Sequence, residues 1–283
     1  MDNKIRGPVG LLHPGEMGAA VGRCLTAAGY TVLWASDGRS EQTAARAAAA
    51  GLTDAGAPRK LVAEAEVIIS VCPPHSALDV AWAVHGFAGL YLDANAISPG
   101  TAREVGQLIT ANGGRYVDGG IIGSPPVTAG TTRLYLSGPD AVQVQELFAG
   151  TPLDARVVGG AATAASAVKM AYASWTKGTA AMLLVARALA RAEGVEDTLL
   201  AEWSESQPKL AGQSDRSAGS AATKGWRWVG EMEEIAQSMA ASGLPDGFHQ
   251  AAAEVFRRSP HLPDAAAGPD LTATVLSALT GSD

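Results

Sequence analysis

Apolar residues in the first 158 positions fall into short runs separated by longer amphipathic stretches. Residues 9–12, 30–35, 67–72, 90–93, 116–118, 133–137 and 155–158 predict strands. Residues 17–28, 41–50, 61–65, 76–84 and 101–111 predict helices between them. The strands are apolar at consecutive positions rather than at every second one. That pattern belongs to strands covered on both faces, and its alternation with helices predicts a parallel α/β sheet. Pro8 stands just ahead of the first strand, where a missing N–H is tolerated.

The pattern changes after position 158. Residues 161–193 form one apolar, alanine-rich stretch without proline. As a helix it would be on the order of 50 Å long at about 1.5 Å per residue. Such a helix joins domains or packs against another subunit. Residues 199–205, 221–241, 248–258 and 271–279 predict further helices, and no strand signal follows position 158. The expected organisation is therefore an α/β domain over residues 1–158 and an all-α domain over residues 159–283, with a long interdomain helix.

The first predicted strand turns into the first helix through Gly10-Leu11-Leu12-His13-Pro14-Gly15-Glu16-Met17-Gly18. A tight turn into a helix presents free N–H groups at the helix N-terminus, the geometry a pyrophosphate needs. Gly15 permits close approach and Gly18 lets the helix pack on the strand. His13 stands where the G-x-G-x-x-G fingerprint has its first glycine, and either touches the pyrophosphate or fills the turn. Without a ligand the segment is an ordinary strand-to-helix turn. Its place at the first βαβ crossover favours a dinucleotide and a Rossmann-type, doubly wound sheet.

The second strand ends in Ser36-Asp37-Gly38-Arg39-Ser40. Arginine and hydroxyls at this strand end suit the 2′-phosphate of NADP, whereas an acid suits the ribose hydroxyls of NAD. Ser36, Arg39 and Ser40 therefore point to NADP(H). Asp37 keeps NAD(H) open, or caps the next helix.

Composition narrows the class. The 283 residues are 47% hydrophobic and 17% charged, enough for two domains with their own cores. Cys24 and Cys72 are too few for a disulfide framework, and a reduced, cytoplasmic protein is expected. The net charge is −7, and acidic residues outnumber basic ones in both halves, unlike a nucleic-acid binder. No apolar run reaches the roughly 18 residues of a membrane span. The opening Met1-Asp2-Asn3-Lys4-Ile5-Arg6-Gly7-Pro8 carries no leader pattern. Histidines 13, 75, 85, 249 and 261 make no metal-ligand spacing with a cysteine or carboxylate, so no metal is expected.

Five segments in order carry a resemblance to a known family. They are Gly15-Glu16-Met17-Gly18, Val71-Cys72-Pro73-Pro74, Asp93-Ala94-Asn95-Ala96-Ile97-Ser98-Pro99, Asp118-Gly119-Gly120-Ile121-Ile122-Gly123-Ser124, and Gly159-Gly160 followed by Ser166-Ala167-Val168-Lys169. On these the chain resembles the β-hydroxyacid dehydrogenases, which include 3-hydroxyisobutyrate and 6-phosphogluconate dehydrogenases. It looks closest to a phosphogluconate-dehydrogenase-like branch of that family. The resemblance runs along nearly the whole chain and thins after residue 200.

The resemblance implies an NADP(H)-preferring oxidoreductase acting on a small β-hydroxy acid, aldehyde or related carbonyl compound. It implies a cofactor held by the 13–18 turn, by Ser36, Arg39 and Ser40, and by the Cys72-Pro73-Pro74 loop, with Asn95 beside the nicotinamide. Cys72 itself reads as a small buried hydrophobe. Gly123, Ser124 and Asn95 are the expected substrate residues, and a homodimer is expected from the family's helical domains. Lys169 matches the catalytic lysine. By itself it reads as a lysine snorkelling from a helix. Its neighbours Ala167, Val168, Met170 and Ala171 would destabilise its ammonium and lower its pKa, which suits a general acid/base. Tyr172 and Trp175 follow at three and six residues, and line a substrate pocket or a packing face. Arg227, in the aromatic stretch 226–234, meets an anionic substrate or lies on an exposed helix.

The departures fall on the substrate side. Ala173 stands where the family has asparagine, Ala96 where it has threonine, Ile122-Gly123-Ser124 where it has Ser-Gly-Gly, and Glu231-Met232-Glu233 near its second lysine. Two alternatives follow. One is an imine reductase of the same architecture, whose members carry Asp or Tyr at the Lys169 position. The other is a nucleotide-binding protein without turnover.

Overall fold

The computed structural model describes residues 4–266 and 268–281, so the first three residues of the opening segment lie outside it. Its first elements are β1 (Val9–Leu12), α1 (Glu16–Ala27), β2 (Val32–Trp34), α2 (Glu41–Ala49), β3 (Thr53–Asp54), α3 (Pro58–Glu64) and β4 (Val67–Ser70). A 3-10 turn (Pro74–Ser76) leads into α4 (Ala77–Ala83), β5 (Leu90–Asp93), α5 (Pro99–Ala111) and β6 (Arg115–Ile122). Then come β7 (Thr132–Ser137), α6 (Ala141–Leu147) and β8 (Leu153–Val157). The rest is helical: α7 (Ala164–Ala192), α8 (Glu196–Ser206), α9 (Leu210–Ala241), α10 (Gly247–Arg258) and α11 (Pro269–Thr280). Contacts divide the chain into residues 1–170 and 171–283, a boundary inside α7. The boundary expected at 158/159 lies ahead of that helix.

The strands of the first unit form one sheet in the order β3-β2-β1-β4-β5-β6-β7-β8. All neighbours are parallel except β6 and β7. The sheet is thus parallel as expected, apart from one antiparallel joint. The physical reason is the link: residues 123–131 hold no helix, and a parallel return needs a crossover of about a dozen residues or more. Strand order reverses at β1, which lies between β2 and β4 and makes a switch point at the sheet's C-terminal edge.

Consecutive apolar positions behave as expected. Val67 and Ile69 of β4 join the core cluster of Val9, Leu11 and Trp34, while Ile68 joins Leu33, Leu61 and Tyr91 in a second cluster. The central strand β4 therefore buries both faces. One transverse row differs. Leu12, Ser70, Asp93, Asp118 and Ser137 are register partners across five strands. The last four are polar and at most 1% exposed. Buried polar groups need partners, and theirs build the candidate site.

In the second unit α10 packs on α9, with Trp228 edge-on to Phe256 at 5.0 Å between centroids. Lys177 of α7 pairs with Glu231 of α9 and lies 5.6 Å over the Trp228 ring. Arg187 of α7 reaches Glu196 at 2.8 Å and Asp215 at 2.6 Å. Buried His249 of α10 shares a 2.8 Å hydrogen bond with the Ser174 hydroxyl. Arg227 stacks 5.0 Å over the Trp226 ring. No described helix is long and apolar enough to cross a membrane. Among the described residues no group of three His, Cys, Asp or Glu could hold a metal ion.

Candidate active site

At the switch point β1 ends at Leu12, and His13 takes a left-handed backbone with φ 64°. That region favours glycine, which explains why the fingerprint has glycine there. His13 Nδ1 is buried with no hydrogen-bond partner among the described residues. Burial, and then the nearby Arg39 charge, bring the His13 pKa down to about 4, so the imidazole is neutral at pH 7. Pro14 follows, and the Gly15 N–H donates to the His13 carbonyl at 2.7 Å. Gly15 is the N-cap of α1 and carries no side-chain cap. A Cβ on Gly15 would meet nothing within 4 Å, whereas one on Gly18 would lie 2.4 Å from the His13 carbonyl oxygen. Gly18 is therefore needed by the turn, and Gly15 leaves an open approach to the first helical N–H groups, beside Glu16 and Met17. This open, uncapped helix start fits a dinucleotide pyrophosphate.

Beyond β2, Ser36 to Ser40 form a turn in which the Arg39 N–H donates to the Ser36 carbonyl at 3.0 Å. Ser40, not Asp37, caps α2: its hydroxyl accepts the Thr43 N–H at 3.3 Å. Arg39 is exposed. Asp54 was not legible in the sequence as part of this edge. It closes β3, and its carboxylate accepts the Gly56 N–H at 2.7 Å. That bond first, and the Ser36 hydroxyl after it, hold Asp54 below the usual carboxylate range. The only sequence signal for Asp54 was an Asp-x-Gly turn.

Next along the edge, the Asn95 side chain joins the ends of β4 and β5. Its Oδ1 accepts the Cys72 N–H at 2.6 Å, and its Nδ2 donates to the Ser70 hydroxyl at 3.1 Å. The Ser70 hydroxyl donates to Cys72 Sγ at 3.8 Å. The Asn95 N–H donates to Asp93 Oδ1 at 2.9 Å. Burial, then the Asp93 charge, push the Cys72 thiol up to about 12, which keeps it protonated at neutral pH. Pro73 and Pro74 lead outward from this point.

The first turn of α7 is fastened to the sheet by Asp118. Its Oδ2 accepts from the Ser166 N–H at 2.8 Å and the Ser137 hydroxyl at 2.9 Å, and its Oδ1 from the Ser166 hydroxyl at 2.5 Å. Burial raises the Asp118 carboxyl, and these bonds oppose the rise. Gly120 makes the contact close: a Cβ there would lie 2.8 Å from the Ala165 carbonyl and 2.9 Å from Lys169 Cβ. Lys169 is thus pressed against β6, and its Nζ donates to the Ile121 carbonyl at 2.8 Å. Burial brings its pKa down to about 8. Gly123 follows with φ 128°, and exposed Ser124 accepts the Thr132 hydroxyl on its carbonyl. Along α7, Tyr172 and Trp175 are exposed, and Ala173 is buried.

A family model described as the NAD binding domain of 6-phosphogluconate dehydrogenase matches residues 8–149. A second, described as a domain of unknown function (DUF1932), matches residues 190–259. An uncharacterised 28.5 kDa protein of Methanothermus fervidus is 33% identical over 175 residues, which is 61% of this chain and 66% of that protein. The match thus spans just under two thirds of that relative's length. A solved conserved protein of unknown function, described as structurally similar to 3-hydroxyacid dehydrogenases, is 28% identical. The likeness covers 88% of this chain and 96% of that one, with a TM-score of 0.66. The fold is also that of Mycobacterium tuberculosis 3-hydroxyisobutyrate dehydrogenase solved with L-serine (20% identity, 96% and 98% coverage, TM-score 0.67). The open turn into α1, the eight-stranded sheet and the matched family model agree: the chain belongs to the β-hydroxyacid dehydrogenase family, with an NAD-binding domain of the 6-phosphogluconate dehydrogenase type.

Proposed function

We propose that the chain is an NADP(H)-preferring oxidoreductase of a small β-hydroxy acid, aldehyde or related carbonyl compound, with Lys169 as general acid/base. The observation that carries the reading is Lys169 itself. Its amine is tethered to the Ile121 carbonyl on the strand next to the cofactor edge and has a pKa near 8. A group poised near neutral pH holds or releases a proton at little cost.

A nicotinamide dinucleotide bound here would supply hydride in reduction and accept it in oxidation. The 13–18 turn would hold its pyrophosphate, and Arg39 with Ser36 would hold its 2′-phosphate, with Ser40 restricted by its capping bond. Cys72, Pro73 and Pro74 border the nicotinamide side. Lys169 Nζ gives its proton to the substrate oxygen as that oxygen gains charge in reduction, and retrieves it in the oxidising direction. Gly123 and Ser124, just past the Ile121 carbonyl, are the substrate-orienting segment. Tyr172 and Trp175 extend the same helix. The acidic balance of the chain supports a small-molecule substrate rather than a nucleic-acid partner, and its two free cysteines suit a reducing, cytoplasmic setting.

Titration of NADPH and NADH, read by quenching of tryptophan emission, tests the cofactor. NADPH is expected to bind more tightly. Tighter NADH would reassign Asp37 or Asp54 as the ribose ligand. Failure of both to bind at micromolar concentration would remove the dinucleotide. Binding without turnover across carbonyl and imine substrates would leave a nucleotide-binding protein.

A homodimer through α7 is part of the same proposal. Trp175, Met182 and Leu189 are exposed at seven-residue spacing, with exposed Tyr172 one turn ahead of them and Val185 between the last two. That is the spacing with which one helix seats against another. An exposed stripe of this kind is unusual on a monomer. Light scattering after size exclusion is expected to give twice the 28.7 kDa chain mass. Met182→Lys is expected to move the protein toward monomer, and a wild-type monomer at micromolar concentration would overturn the dimer.

A further inference from the structure

We infer that Asn95 is a positioning residue that anchors the Cys72–Pro74 loop, and that it does not touch the substrate. The inference rests on the reading of that loop as part of the cofactor site. Asn95 is 2% exposed, and both ends of its amide are engaged. Its bonds close a ring: the Cys72 N–H to Asn95 Oδ1, Asn95 Nδ2–H to the Ser70 hydroxyl, and the Ser70 hydroxyl to Cys72 Sγ. Such rings strengthen each member bond.

The sequence explains why the loop needs this anchor. The chain leaves the sheet after Ser70, and the Val71 N–H makes the last bond to β1, at 3.3 Å to the Leu12 carbonyl. Cys72 comes next, followed by two prolines, which have no N–H. The Cys72 N–H is therefore the last main-chain donor before His75 that can fix the loop. The side chain receiving it must also donate to Ser70. A carboxamide has both an acceptor and donors, whereas a carboxylate has only acceptors. An aspartate here would also set a second negative charge beside Asp93.

Hydrogen–deuterium exchange of the free protein, with NADPH titration, tests this on Asn95→Ala, Asn95→Asp and Ser70→Ala. Asn95→Ala is expected to speed exchange in the segment spanning residues 71–76 while the rest of the first unit keeps its protection. NADPH should then bind roughly five- to fifty-fold more weakly, the range for one or two lost buried hydrogen bonds. Ser70→Ala should act in the same direction but less, and the pair should be non-additive because the two side chains share one ring. Asn95→Asp keeps the acceptor for Cys72 and should recover part of the loop protection. Wild-type exchange at 71–76 in both Asn95→Ala and Ser70→Ala would overturn the anchor. Uniform loss of protection in all variants would make Asn95 a general stability residue and overturn it as well. If the wild-type protein binds no dinucleotide, the proposed function fails, while the exchange result still decides the anchor.

Discussion

Lys169→Ala is expected to lower turnover by about two to four orders of magnitude, the usual contribution of a positioned acid/base. Cofactor affinity should stay within a few-fold of wild type, because Lys169 bonds to the Ile121 carbonyl and not to the turn proposed to hold the pyrophosphate. Lys169→Met, which keeps the aliphatic stem against Gly120, should lose turnover equally; recovery by Met would mean that packing alone matters. The pH profile supplies the sign. In the proposed mechanism the ammonium is the proton donor in reduction, so the reducing rate should fall as pH rises through about 8. The neutral amine is the acceptor in oxidation, so the oxidising rate should rise through the same pH. Unchanged turnover in both variants removes Lys169 from the chemistry.

The second large effect separates two glycines three residues apart. In a helix interior alanine is intrinsically better than glycine by about 1 kcal/mol. At Gly18 that preference loses to a steric one, because the new Cβ would sit 2.4 Å from the His13 carbonyl oxygen, a backbone atom that cannot swing aside. Gly18→Ala should cost about 1–3 kcal/mol, the range for overpacking, and abolish NADPH binding by moving the turn. Gly15→Ala should behave differently. Gly15 has φ −69°, which alanine adopts freely, and a Cβ there meets nothing in the protein. Its unfolding midpoint should stay near wild type, while NADPH binding weakens at least about tenfold, because the methyl group occupies the pyrophosphate's approach. Calorimetry and cofactor titration on both variants check this. Tight NADPH binding by Gly15→Ala would move the pyrophosphate away from the turn.

These glycines mark how far the sequence reaches. Val9–Leu12 and Leu90–Asp93 are legible at their observed bounds, because continuous apolar runs between breakers are local signals. The long α7 is legible for the same reason, as uninterrupted alanine-rich helix former. β3 is not, since Thr53 and Asp54 are two exposed residues with no apolar pattern. β6 reads as residues 116–118 and in fact runs from Arg115 to Ile122. Gly119 and Gly120 argue against a strand by propensity, yet they are required there because a Cβ on either would strike backbone, at the Asp93 and Ala165 carbonyls. α9 begins at Leu210, eleven residues before the expected start, because Gly212, Gly219 and several serines dilute its helical signal.

What the sequence determined by itself is what local pattern and chain order carry: the βαβ alternation, the helical second half, the turn that suits a pyrophosphate, and Lys169 as the lysine to examine. The tertiary structure alone decided the antiparallel joint of β6 and β7 and the tether of Lys169 to Ile121. It alone showed that Ser40 caps a helix and that Asn95 closes a ring with Ser70 and Cys72. The last two partners of that ring are 25 and 23 positions away from Asn95 along the chain. Bonds of this kind depend on which strand ends the sheet brings side by side, and no local run of residues encodes that neighbourhood.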